Sequence, residues 1–450
     1  MTEQTPTGDN QLKRDVGLFG VVALGLGTAI GVSIFSIIAP TFQLAGPAML
    51  LSMAIAAIPM IVFAWVYAFM GSAAPVTGAS FEWPRRYISP LAGFFISWLR
   101  IAGSTAALIV LTMVLVSYLR NVVSLPMAPT MFGIFLLVFA VNMIGISAAS
   151  LSQTLLLFGL IGACIVYSVA GIPAINADNF DPFFSHGLVG AFAAVPLMIS
   201  LFLGIESAVE VGGEIKSPQR TIPMGITLSV GLTCIIYFVV AAVTIGLLGN
   251  EELANSEAPL LDGARVSLGD LGIWLIVVTA FISIGSSINA TFIILTRFLY
   301  AMGNAGMLPG VLGRVHQGSG VPRSAVILAF GLCCLGLFMP QNLVFLFLAV
   351  NIPTVLKYAA ICLCSLRLFD KTPELYERAH FRPSRAMIRV MAWLGMAMGG
   401  LIIVLGMTAD WRPFAALIMW AVIGLAYYIF YVRSRTVGDL ASPAASKPPE

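Results

Sequence analysis

The chain has 450 residues, of which 59% are hydrophobic and only 10% charged. Soluble domains carry about 25% charged residues, so this composition excludes a water-soluble globular protein and points to a polytopic membrane protein. The net charge of +3 gives no sign of a nucleic-acid partner; the positive residues serve topology instead.

A membrane-crossing helix needs about 20 apolar residues. In chain order, such segments fall near 17–42, 46–71, 91–119, 130–148, 151–175, 188–211, 223–249, 271–302, 324–340, 342–366, 387–408 and 411–432. The pattern therefore predicts an all-α integral membrane protein with twelve transmembrane helices. An even number puts both termini on one side. With the N-terminus in the cytoplasm, the tails and inner loops hold Lys13, Arg14, Arg85, Arg86, Lys216, Arg220, Arg297, Arg314, Arg323, Arg367, Lys371, Arg378, Arg382, Arg385, Arg389, Arg433, Arg435 and Lys447. The outer loops hold Arg120, Arg265 and Arg412, with the acidic Asp178, Asp181, Glu251, Glu252, Glu257 and Asp262. This asymmetry sets the orientation. The expected organisation is a cytoplasmic tail over 1–16, a twelve-span domain over 17–432 and a Pro/Ala/Ser-rich disordered tail over 433–450.

The first segment contains Gly25-Leu-Gly27-Thr28-Ala29-Ile30-Gly31-Val32-Ser33-Ile34-Phe35. Glycine costs a helix about 1 kcal/mol relative to alanine, and a membrane anchor has no use for such a cluster. The cluster predicts an opened helix whose backbone groups face a polar cavity, the setting in which they are tolerated at membrane depth. The alternative is close helix packing, since Gly27-x-x-x-Gly31 fits the GxxxG pattern.

Four charges remain inside segments: Arg100 in the third, Glu206 and Glu210 in the sixth, and Lys357 in the tenth. The spacing of the two glutamates places both on one helix face. All four should point into the bundle and pair, either as a static ion pair or as part of a solute or proton path. The sixth segment, Ser200-Leu-Phe202-Leu-Gly204-Ile-Glu206, is again interrupted by glycine and polar residues. Segments 1 and 6 each open a set of five, the place of paired discontinuous helices in a five-plus-five inverted repeat. The six cysteines lie in apolar stretches as packing residues, and the three histidines lie in loops. Neither a metal set, a cofactor motif, a nucleotide-binding loop nor a catalytic constellation is present, which argues against an enzyme or a primary pump.

Several motifs follow one another at set intervals: Gly27-Thr-Ala-Ile-Gly31-Val-Ser33, then Ala73-Ala-Pro75-Val-Thr-Gly78-Ala-Ser80 with Trp83-Pro-Arg85-Arg86-Tyr87, then Phe202-Leu-Gly204-Ile-Glu206 with Glu214-Ile-Lys216-Ser-Pro218. Asn289-Ala-Thr291 and Gly306-Met-Leu-Pro309 complete the series. With these, the chain resembles the amino acid–polyamine–organocation superfamily from about residue 15 to 432. The resemblance implies a LeuT-like fold with discontinuous helices 1 and 6. It also implies secondary transport of an amino acid by alternating access across the plasma membrane.

On that resemblance, the solute carboxylate meets the N–H groups of Val32, Ser33 and Ile34. The ammonium meets the carbonyls of Ala29, Ile30 and Phe202 or Leu203, and Phe202 is either a lid or core. Segments 3, 6 and 10 resemble those of the arginine/agmatine antiporter, whose inner gate of tyrosine, glutamate and tyrosine matches Arg100, Glu206 and Tyr358. Arg100 would then pair with Glu206, and Lys357 could serve Glu210. The pocket residues match Gly103, Ser104, Leu108 and Thr291, which disfavours arginine and favours a small or medium neutral amino acid. Coupling is left between protons, through Glu206, and sodium, held by first-segment carbonyls and Ser283, Ser286 or Ser287. A second reading is polyamine or diamine transport using Glu206 and Glu210.

Overall fold

The computed structural model describes residues 16–76, 79–144, 150–204, 209, 215–316 and 321–433, a few of them, Ile30, Gly31 and Val32 included, by their backbone alone. Glu206, Glu210, Glu214 and almost all of both tails lie outside the described residues. Among those described, the protein is helical, and the one extended pairing is an isolated parallel bridge between Val16 and Ile215.

Helices occupy the apolar segments. Among the described residues, seven are long and apolar enough to cross a membrane: Ile38–Ala73, Pro90–Arg120, Pro218–Asn255, Pro259–Asn304, Leu343–Lys371, Arg385–Ala409 and Arg412–Val432. Shorter apolar helices include Met127–Met143, Phe158–Ala174, Gly187–Phe202 and Arg323–Gly336. Many begin with proline or with a side-chain cap, as expected where the first N–H groups have no helical partner. Ser89 caps the helix of segment 3, Asn342 that of segment 10 and Ser384 that of segment 11. The helices of segments 7 and 8 run past their apolar stretches and bend at Gly249 (φ 68°) and Gly269 (φ 60°).

The two expected breaks have different outcomes. In the sixth segment the helix Gly187–Met198 tightens into the 3₁₀ turn Ile199–Phe202, and the chain then goes extended at Leu203 and left-handed at Gly204 (φ 104°). That break lies where the sequence placed it. The first segment is helical from Leu18 to Ser36, straight through Gly27, Gly31 and Ser33, and bends only at Ile37. The expected opening at the glycines is therefore corrected. The bend follows from Pro40, whose ring clashes with the carbonyl of Ser36 and which offers no N–H to it. Glycine permits an opening without imposing one.

Packing orders the bundle from the centre outward. The best apolar windows of segments 3 and 10 are 78% buried, that of segment 12 only 17%. Segments 3 and 10 pack on each other, and segment 3 also packs on segment 8. Segment 7 lies against segment 1 at close range: a Cβ on Gly225 would meet Val21 at 2.2 Å, and one on Gly25 would meet Ser229 Oγ at 2.5 Å. Gly25 is thus used for close packing, as in small-residue helix interfaces. Large apolar side chains such as Leu271, Phe338 and Phe430 point outward, which suits a lipid-facing surface.

Candidate functional site in the centre of the bundle

Segments 1, 3, 6 and 10 meet in the interior, and most of the expected site residues are there. Ala29, Ser33, Ile34, Ser104, Leu108 and Phe202 are buried, and Leu203 is half-buried at the break. Gly103 faces segment 10, where an added Cβ would lie 3.5 Å from Pro353 and 3.7 Å from the Ala349 carbonyl. That carbonyl is the one Pro353 leaves without a helical donor. Thr291 is half-buried on the helix of segment 8, which packs on both segment 1 and segment 3. Ser283 is buried on the same helix, while Ser286 and Ser287 are half-buried.

Hydrogen bonds between segments define the centre. Ser33 Oγ donates to the Ser200 carbonyl at 2.6 Å, joining segment 1 to the break in segment 6. Tyr237 of segment 7 donates to the Ala29 carbonyl at 2.5 Å, and Tyr118 of segment 3 donates to the Phe35 carbonyl at 2.9 Å. So Ala29, expected to receive the ammonium, already accepts a phenol hydroxyl. Asn351 of segment 10 reaches the Pro196 and Leu197 carbonyls. Tyr237, Tyr118 and Asn351 escape a reading of the sequence that ranks charges first. The available signal is a polar residue alone in an apolar run, with Pro353 close behind Asn351.

Where the gate is expected, Arg100 is half-buried and its Nη1 donates to Thr354 Oγ1 at 3.1 Å. The expected partner, Glu206, lies outside the described residues, as does Glu210. Lys357 is 2% exposed, and its Nζ stands 5.0 Å from the Tyr358 ring centroid, close enough for a cation–π contact. Tyr358 packs against Phe63 at 5.2 Å and edge-on to Tyr67 at 5.4 Å. Tyr67 in turn meets Trp83, whose indole donates to the Ala74 carbonyl at 3.0 Å. Tyr358 of segment 10 therefore sits on an aromatic floor built by segment 2 and the short helix Ala79–Trp83.

The two ends of the bundle differ. At the basic end, Lys216 N–H donates to the Val16 carbonyl at 2.8 Å, Ser72 to the Gln219 carbonyl at 2.8 Å, and Phe381 N–H to Ser72 at 2.9 Å. The first ties the entry of segment 1 to the exit of segment 6, and the other two tie the end of segment 2 to the start of segment 7 and to the loop before segment 11. At the acidic end, a cleft of about 660 Å³ is lined by Asn250, Glu251, Glu252, Asn255, Ser256 and Asp262, among others.

Among the described residues, a helical, apolar bundle with a broken sixth segment, a half-buried Arg100 on segment 3 and a buried Lys357 on segment 10 suits a channel or a transporter, and comparison with known proteins narrows this. A family model described as amino acid permease matches residues 16–432. The chain is 27% identical to the branched-chain amino acid permease BcaP of Bacillus subtilis, over 96% of this chain and 95% of the relative. It is 25% identical to the methylthioribose transporter of the same organism, over 95% of each. It is 23% identical to the vacuolar cationic amino acid transporter 4 of Arabidopsis thaliana, over 82% of this chain and 65% of that protein. Matched along nearly its whole length, the chain belongs to the amino acid permease family of the amino acid–polyamine–organocation superfamily.

Proposed function

We propose that this protein is a secondary transporter of neutral amino acids, with branched-chain residues as the first candidates. The reading is carried by the end-to-end likeness to a branched-chain amino acid permease. It agrees with the expected side-chain positions Gly103, Ser104, Leu108 and Thr291, none of which is charged or aromatic. The family frame is twelve spans over 17–432 in a five-plus-five inverted repeat, with both tails in the cytoplasm and the protein in the plasma membrane. Ala29, Ile30, Val32, Ser33, Ile34, Phe202 and Leu203 form the backbone-recognition set. The backbone groups of segment 1 are engaged within its helix, so solute binding by Val32, Ser33 and Ile34 requires that helix to open. Arg100, Glu206, Glu210, Lys357 and Tyr358 form the inner gate and the coupling path, with protons as the coupling ion.

The test is uptake of labelled leucine, isoleucine, putrescine and methylthioribose into proteoliposomes, with an imposed proton or sodium gradient. Saturable, proton-driven leucine or isoleucine uptake supports the reading. Putrescine uptake alone would move the assignment to polyamines, and methylthioribose uptake alone would move it outside amino acids.

A further inference from the structure

Asn351 is used by neither the gate nor the pocket, although it lies between them. It is 1% exposed, in the middle of the helix Leu343–Lys371 and two residues before Pro353. Its Nδ2 donates to the Pro196 carbonyl at 2.8 Å and the Leu197 carbonyl at 3.3 Å. Both belong to the end of the helix Gly187–Met198, where the backbone tightens into the 3₁₀ turn. The last carbonyls of a helix have no donors within it. Here side chains add donors: Asn351 from another segment, and the Ser200 hydroxyl, which reaches Leu197 beside the Ile199 backbone N–H. Two carbonyls on one side fix the orientation of the amide, because the flipped form would set oxygen against oxygen.

In that orientation Oδ1 is buried and accepts no hydrogen bond among the described residues. Buried acceptors without a donor are rare in native proteins and call for an explanation. The surroundings supply one. Ser200 accepts from Ser33 through its carbonyl. Asn351, the break in segment 6 and Ser33 thus form one polar line through the centre of the bundle.

The geometry points to Asn351 as a positioning residue of the solute site. Its amide N–H groups hold the carbonyl end of the broken segment 6, and its Oδ1 is the acceptor that a solute amino group fills. The inference rests on the amino acid transport reading and adds to it a determinant on segment 10. A residue that merely holds the fold would alter stability and maximal rate alike; a positioning residue alters affinity for the solute.

The experiment compares the wild type with Asn351→Leu, of similar volume, and Asn351→Ser, too short to span both carbonyls. Leucine uptake and thermal unfolding with and without leucine are measured. The expected result is a KM raised about tenfold or more with maximal rate changed much less. The stabilisation by leucine should be lost in both variants, whatever the fall in the ligand-free midpoint from the carbonyls left without the Asn351 donor. Unchanged KM in both variants, or a loss of rate or stability without a change in KM, overturns the proposal. Failure of both variants to yield monodisperse protein also overturns it, since Asn351 would then be a folding residue. A wild type that neither carries nor is stabilised by any amino acid would instead refute the transport reading.

Discussion

Arg100 is the clearest case at the scale of single residues. A lone guanidinium within an apolar segment demands a partner, and the described partner is the Thr354 hydroxyl, one turn before Tyr358. Thr354 is itself anchored, donating to the Val350 carbonyl at 2.9 Å. Arg100→Ala and Thr354→Val should each slow uptake, and the double variant should lose less than the sum, because the contact counts once. The same cycle with Glu206→Gln tests the charge pair expected from the sequence. Strictly additive losses in the Thr354 cycle would mean that the contact carries no part of gating, and additive losses in the Glu206 cycle would dissolve the charge pair.

At the level of helices and their ends, two junctions lend themselves to measurement. Segment 12 docks on segment 3 through a reciprocal indole pair. Trp98 Nε1 donates to the Trp420 carbonyl and Trp420 Nε1 to the Trp98 carbonyl, both at 2.8 Å, with the rings stacked at 4.6 Å. Gly424 makes room for this, since a Cβ there would lie 2.5 Å from the Trp98 indole. Gly424→Val should therefore destabilise by about 1–3 kcal/mol, the usual range for overpacking. The expected readout is a lower thermal midpoint and a shifted tryptophan emission, while leucine KM stays unchanged. An unaltered midpoint would show that segment 12 docks without this contact.

Asp410, between segments 11 and 12, accepts from the Arg412 N–H at 2.9 Å and from its guanidinium at 2.7 Å. These bonds hold its carboxyl below the ordinary aspartate range. A carboxylate with a lowered folded pKa stabilises above its unfolded value, about 3.9. That contribution is lost as pH falls through the folded value. Asp410→Ala should then lower the midpoint at pH 7 by the equivalent of at most about 1 kcal/mol, and the gap should narrow as pH falls below the unfolded aspartate value. A gap independent of pH would assign the effect to packing rather than charge.

For the molecule as a whole, orientation is the quantity to test. The basic loops and the tie between Val16 and Ile215 lie at one end, and the acidic cleft lies at the other. In a background without reactive cysteines, Ser217→Cys and Ser384→Cys should be labelled only from the cytoplasm and Ser256→Cys only from outside. The reverse pattern would invert the assignment of the basic end, and mixed labelling would refute a single orientation.

The sequence alone determined the membrane character, the helical segments, the family and the break in segment 6. All of these rest on local properties. An apolar run satisfies its own backbone as a helix, and Gly204 with the polar residues around it interrupts one. The place of the bend in segment 1 was also written locally, in Pro40, but the glycines drew the eye to Gly31. What only the tertiary structure decided are the partners: Tyr237 on Ala29, Ser33 on Ser200, Thr354 on Arg100, and Asn351 on the broken end of segment 6. Each joins residues far apart in the chain. A hydroxyl or amide in an apolar run announces that it needs a partner, and the packing of helices alone selects which carbonyl it finds.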